Sequence, residues 1–289
     1  MTTRNGRAWR LTAGAGLVAL LQAAASAQVI DSQDFEGDPG TGFNGWLANG
    51  NQMIFGDEFG AFLGLPYLDF WGVELRNENS ESGVIGNLSG YTGGMTYTTQ
   101  IRVFALDNFF GEPMNPAWFP VVIEFVDYGD PDDPYDNASV YKIGDSLGQI
   151  EDGWKTFTFE VPDPSQEALP EGWGGTGAED PVTYEPILPP GRTYANVMAS
   201  VDEVRISTFV PGYFYSSNYW QVGFDNIVVT GSTGSCPADF DGSGFVDTDD
   251  FDAFVYAFEL GGDDADFDDS GFVDTDDFDA FIHAFENGC

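Results

Sequence analysis

The sequence predicts a mainly β protein: one large β-sandwich over residues 28–230, a short linker at 231–235, and a small all-helical module over 236–289. Short stretches of alternating apolar and polar residues recur through the first part between Gly, Pro, Asn and Asp clusters, and helix-period stretches are scarce there. The last 54 residues instead hold two copies of one unit, 27 residues apart, which match over 24 positions from Ala238 and from Ala265 and differ at four. Each copy ends in an apolar stripe at helical spacing.

The chain opens with Arg4, Arg7 and Arg10, an apolar run Leu11–Ala25, and the small-residue sequence Ala25-Ser26-Ala27. This pattern predicts a secretory signal peptide over 1–27 with cleavage before Gln28. No other stretch approaches the ~20 apolar residues of a membrane-spanning helix. The expectation is therefore a secreted protein, extracellular or associated with the cell surface. Without the leader, 48 acidic residues face six basic ones, a formal charge of −42. Such a surface repels nucleic acid and anionic membranes, so neither is a partner.

Strands are predicted at Thr96–Phe104, Pro120–Tyr128, Ser139–Ile143, Trp154–Val161, Val204–Val210 and Trp220–Thr230. In Trp154–Val161, Phe157, Phe159 and Val161 alternate with Thr156, Thr158 and Glu160, one face in and one face out. A Pro/Gly-rich excursion from Pro162 to Pro190 interrupts the pattern, and a loop of that length is often functional. The linker Gly231-Ser232-Thr233-Gly234-Ser235 closes the sandwich.

In the C-terminal repeats each copy carries D-x-D-x-S-G-x-V-D-x-x-D. A calcium ion takes about six to eight oxygen ligands, and a 12-residue loop supplies them from positions 1, 3, 5, 9 and 12 and the carbonyl at 7. The ligands are therefore Asp239, Asp241, Ser243, Phe245 (carbonyl), Asp247 and Asp250 in the first loop. In the second they are Asp266, Asp268, Ser270, Phe272 (carbonyl), Asp274 and Asp277. Position 6 turns sharply and is glycine, Gly244 and Gly271. Two bound calcium ions are expected, and with 17 acids and no Lys or Arg in this module, calcium is a condition of its folding. Helices follow, with stripes Phe251, Phe254, Val255, Phe258 and Phe278, Phe281, Ile282, Phe285 forming the core between them. Gly261 and Gly288 stop them.

Aspartate at position 12 and one helix per loop are what dockerins have. The segment resembles a type I dockerin duplicate, and more narrowly the GC-type dockerin, whose chain ends in Gly-Cys as Gly288-Cys289 does here. The resemblance implies two loop-helix units related by a pseudo-twofold, a cohesin-like receptor or cell-surface anchoring component as partner, and recognition through loop positions 10 and 11, Thr248-Asp249 and Thr275-Asp276. Cys236 and Cys289 are the only cysteines. In an exported protein the default is a disulfide between them, closing the module; use of the terminal cysteine for attachment is the alternative.

Asp34-Phe35-Glu36-Gly37 with Gly45-Trp46, and Gly223-Phe224-Asp225-Asn226-Ile227-Val228-Val229 at the other end, resemble the first and last strands of carbohydrate-binding, galactose-binding-like jelly rolls. That resemblance implies that first and last strands lie side by side and that Glu36 and Asp225 hold a structural calcium.

Residues 28–230 contain no His and no Cys. Ser-His-Asp and Cys-His catalysis are excluded there, as are His/Cys zinc sites. No phosphate-cradling or dinucleotide-binding glycine motif is present. His283 stands where the first repeat has Tyr256, at an exposed helix position. Aromatic side chains remain: Trp118 and Trp173, in contexts that read as loops, are the candidate platforms for a sugar ring. The functional expectation is a non-catalytic protein that binds extracellular glycan or matrix through its sandwich and docks through its calcium module. A carboxylate-based glycoside hydrolase or lyase, or a purely structural surface protein, are the alternatives.

Overall fold

A computed structural model describes residues 27–36, 43–50, 52–57, 60–130, 136–233, 237–241, 246, 248–268 and 270–287. The leader, all but Ala27, and both cysteines lie outside the described residues.

Fourteen strands and three α-helices follow one another along the described chain. They are β1 (Gln28–Gln33), β2 (Trp46–Ala48), β3 (Met53–Asp57), β4 (Gly60–Phe70), β5 (Glu74–Asn77), β6 (Met95–Asn108), β7 (Ala117–Asp127), β8 (Ala138–Gly148), β9 (Lys155–Val161), β10 (Trp173–Thr176), β11 (Ala178–Glu179) and β12 (Pro186–Ile187). After α1 (Tyr194–Met198) come β13 (Glu203–Ser207), β14 (Asn218–Gly231), α2 (Thr248–Leu260) and α3 (Thr275–Asn287). Each of the six predicted strands is present, and β14 runs one residue into the expected linker.

All pairings are antiparallel; they form two sheets of six strands and a separate two-stranded sheet of β11 and β12. The first has the order β3-β4-β14-β6-β9, with β1 on the other half of β14; the second has the order β10-β8-β7-β13-β5-β2. Strict alternation builds the layers: β6 reads buried, half-buried, buried over its first nine residues, and β9 alternates exposed and buried from Thr156 to Val161. Their inward residues meet those of the other sheet. Tyr97 of β6 and Phe125 of β7 pack edge to face at 5.3 Å, and Trp46, Trp220 and Phe224 are buried in the same core. Each large apolar side chain so buried is worth about 1.5–3 kcal/mol.

The first and last strands do lie side by side, with Gln28 opposite Gly231 and Gln33 opposite Ile227. The first strand is Gln28–Gln33, however, so Asp34–Glu36 lies beyond its end. Phe35 there takes a φ of 55° while its ring is buried against Phe43. The Pro162–Pro190 excursion is partly structured: it contributes β10 to the second sheet and carries the small β11–β12 hairpin.

The C-terminal helices have their own core around Phe254, Ala265 and Phe281. Phe254 and Phe281 stack with centroids 4.0 Å apart and planes 8° from parallel. Equivalent pairs on either side have nearly equal spacings: Phe240–Phe254 at 5.4 Å against Phe267–Phe281 at 5.5 Å, and Phe240–Phe281 at 6.1 Å against Phe254–Phe267 at 6.0 Å. The two repeats are thus related by a local pseudo-twofold through this central stack. Among the described residues, no helix is long and apolar enough to cross a membrane.

Candidate functional site

Two sets of side chains converge at the N-terminal ends of α2 and α3. Carboxylate oxygens of Asp239, Asp241 and Asp250 lie within 4.8 Å of one another, and those of Asp266, Asp268 and Asp277 do the same. Backbone amides hold the last member of each set. Asp241 N–H donates to Asp250 Oδ1 at 3.0 Å, and Asp268 N–H donates to Asp277 Oδ1 at 3.0 Å. Asp250 and Asp277 are fully buried. The amides of Asp274 and Asp268 hold the Asp277 carboxyl below the usual carboxylate range.

Gly271 turns with a φ of 87°, and its N–H donates to Asp266 Oδ2 at 2.9 Å. The other oxygen, Asp266 Oδ1, is buried without a hydrogen bond, and the equivalent oxygen of Asp239 is buried as well. An anionic oxygen left so is costly unless a cation meets it. Three clustered carboxylates repel one another for the same reason. The donor set is all oxygen, so these loops could hold a hard cation. Ser270 Oγ donates to the Phe272 carbonyl at 3.2 Å, which places both predicted ligands on the same turn. Asp274 Oδ1 accepts from Asp276 N–H, and its carboxylate is not one of the three that cluster. Ser243, Phe245 and Asp247 lie outside the described residues.

Thr248, Asp249, Thr275 and Asp276 are exposed in the first turns of α2 and α3, and His283 is exposed on α3. Glu36 and Asp225 have partners of their own. Glu36 Oε1 accepts from Ala61 N–H at 2.7 Å, and Asp225 Oδ1 accepts from Asn226 N–H at 2.7 Å. Among the described residues, neither joins a group of three acidic, His or Cys ligands.

The two tryptophans part company. Trp118 is 74% exposed near the start of β7, with both neighbours in the strand rather than in a loop. Trp173 is 9% exposed on β10, wedged against Phe125 at 6.1 Å and Tyr194 at 5.7 Å. Its faces are covered, so the expectation of a sugar platform at Trp173 is corrected: it anchors the excursion to the core.

What that anchoring positions is a trough on the outer face of the second sheet. Cross-strand register places Gly174, Tyr141, Glu124, Arg205 and Arg76 directly opposite one another in a single row across five strands. Tyr141 does not stand off the sheet. It lies across β10, where a Cβ on Gly174 would come within 2.3 Å of its Cζ. Glycine leaves the side-chain space that the ring fills.

Beside the ring, Glu124 accepts from Ser139 Oγ and lies 3.6 Å from the Arg205 guanidinium. Arg205 also binds Glu203, and its Nη2 donates to Tyr128 Oη at 2.8 Å. Burial works against ionisation of Glu203, but bonds from Arg205 and Tyr128 outweigh it and keep the carboxyl below its usual range. Burial, helped by the bond to Glu203, pushes the Tyr128 phenol up to about 12. Burial also raises the Tyr141 phenol, with Glu124, Tyr213 and Glu185 adding to the effect.

The trough has walls. Gly177, Ala178, Glu179 and Pro186 of the excursion form one, and Phe209, Pro211 and Gly212 of the β13–β14 loop form the other, around an open space of about 470 Å³ that Glu124, alone of the row, lines. The walls meet where Gly212 packs against Pro186. The sequence reading missed Tyr141, Glu124 and Arg205.

No family model matches this chain, and no curated protein matches it. Among solved structures it is similar to a family 11 carbohydrate-binding module of a cellulosomal cellulase from Clostridium thermocellum, at 13% identity over 73% of this chain and 97% of that one, with a TM-score of 0.38. A carbohydrate esterase from the Shiga toxin-encoding bacteriophage phi24B aligns at 14% identity over 72% of this chain and 100% of that one, TM-score 0.39. A family 30 carbohydrate-binding module of another Clostridium thermocellum cellulase aligns at 14% identity over 73% and 98%, TM-score 0.31. Scores and identities this low carry neither fold nor ligand over to this chain.

Proposed function

We propose that this is an exported, non-catalytic glycan-binding protein. Its jelly-roll sandwich holds the glycan in the trough of the second sheet. Its dockerin-like module, residues 236–289, folds around two calcium ions and docks the protein to a cohesin-like receptor or a cell-surface component through Thr248-Asp249 and Thr275-Asp276. The observation that carries the reading is the Tyr141 ring packed onto Gly174, in one cross-strand row with Glu124 and Arg205, beside the trough that Glu124 helps to line. A ring packed down onto the strand backbone offers an aromatic surface to the C–H face of a pyranose, while carboxylate and guanidinium groups in the same row bond the hydroxyls. The orphaned Asp266 oxygen supports the calcium part.

Affinity electrophoresis of residues 28–289 through gels cast with a panel of polysaccharides tests the first part. At least one polymer retards the protein without release of reducing sugar, and Tyr141→Ala abolishes the retardation. No retardation, or retardation indifferent to Tyr141→Ala, contradicts it. Fractionation of cells carrying full-length and 1–235 forms tests the second, with only the truncated form free in the medium; equal partition rules out an anchor.

A further inference from the structure

Resting on the glycan reading, we infer that the trough is built for an uncharged glycan chain lying across the strands and rejects polysaccharides that carry sulfate or carboxylate. A site for an anionic sugar needs a cation left over to meet it. The row beside this trough has two arginines, and carboxylates of the protein already engage both. Arg205 is bonded to Glu203 and faces Glu124. Arg76 lies 3.0 Å from Glu78 and 3.5 Å from Glu74. Four carboxylates thus face two guanidiniums, and Glu179 and Glu185, both exposed, add further negative charge nearby.

The surplus is negative in a chain that already carries 48 acids against nine bases. A sulfated or uronate polymer meets like charge on entering, whereas neutral hydroxyls find carboxylate oxygens that accept and a tyrosine face that stacks. The row from Tyr141 on β8 to Arg76 on β5 crosses three strand spacings, roughly 14 Å. That is room for a short run of sugar residues perpendicular to the strands.

The experiment uses residues 28–289 in calcium-containing buffer and matched polymers: hydroxyethylcellulose with carboxymethylcellulose, dextran with dextran sulfate, and agarose with carrageenan. In at least one pair the neutral member retards the protein on the order of tenfold more strongly than the charged member at low salt. The gap narrows as sodium chloride is raised, because screening shortens the reach of the surplus charge. Equal or stronger retention by the charged member overturns the inference and leaves the glycan reading standing. A preference that ignores salt places selectivity in shape and overturns the charge account. Retention by no polymer of either kind overturns the glycan reading and this inference with it.

Discussion

Replacing Phe254 by Ala perturbs the centre of the C-terminal module. The ring is fully buried. It stacks at 4.0 Å on Phe281 and touches Phe240, Phe258, Phe267 and Phe278 at 5.4–6.0 Å. Removing such a ring costs about 3–5 kcal/mol. A segment of this size has only a few kcal/mol of stability to lose. If folding is coupled to two calcium ions, a loss of ~4 kcal/mol is offset at the midpoint by ~2 kcal/mol of extra binding free energy per ion. That corresponds to a roughly 30-fold rise in the calcium concentration at half-folding. The chain has one histidine, and it sits exposed on α3, the opposite helix. Its imidazole proton signals therefore report folding of this module in the intact protein. The wild type shifts from an unfolded to a native position as calcium is added, and Phe254→Ala does so at about 30-fold higher calcium. An unchanged midpoint, or a native His283 signal in chelator, refutes the coupling.

Gly174→Ala leaves the fold intact but pushes the Tyr141 ring off the sheet, since the new Cβ meets the far end of that side chain; glycan retention falls about 5–30-fold while thermal unfolding hardly moves. Trp173→Ala destabilises the sandwich by about 3–5 kcal/mol because the indole is core, whereas Trp118→Ala stays within about 0.5 kcal/mol; urea unfolding curves separate the two, and equal effects contradict the assignment. The Tyr128 phenol titrates at about 12 in the folded protein, above its ordinary value of about 10. Its contribution to stability is therefore complete below the ordinary value and fades as pH rises towards the folded one. The phenolate absorbance difference between wild type and Tyr128→Phe appears at that higher pH, and a difference centred on the ordinary value contradicts it.

The sequence disclosed what depends on local periodicity. The six alternating segments became β6, β7, β8, β9, β13 and β14 because one face of each must enter the core. The repeated loops and Phe stripes likewise became two acid clusters over a stacked helix pair. Strands β3, β4, β5 and β10 were missed for local reasons. The β4 segment does not alternate and contains Pro66, and β10 is Trp-Gly-Gly-Thr, whose glycines read as loop. Those glycines serve tertiary neighbours, Gly174 making room for Tyr141 and Gly175 for Leu188. Phe240 and Phe267 were overlooked as core residues because they sit inside acidic loops. The row beside the trough could not be read at all. Tyr141, Glu124, Arg205 and Arg76 are scattered along the chain and meet only through the register of four strands, which tertiary packing sets.

Backbone chemical-shift mapping on isotope-labelled residues 28–289, titrated with a short oligosaccharide of whichever neutral polymer retards the protein best, measures directly where glycan sits. The largest shifts fall on Tyr141, Gly174, Glu124 and Arg205, and the Trp118 end of the sandwich stays unmoved. Shifts centred on Trp118, or none that saturate, would show that the trough is not the binding site.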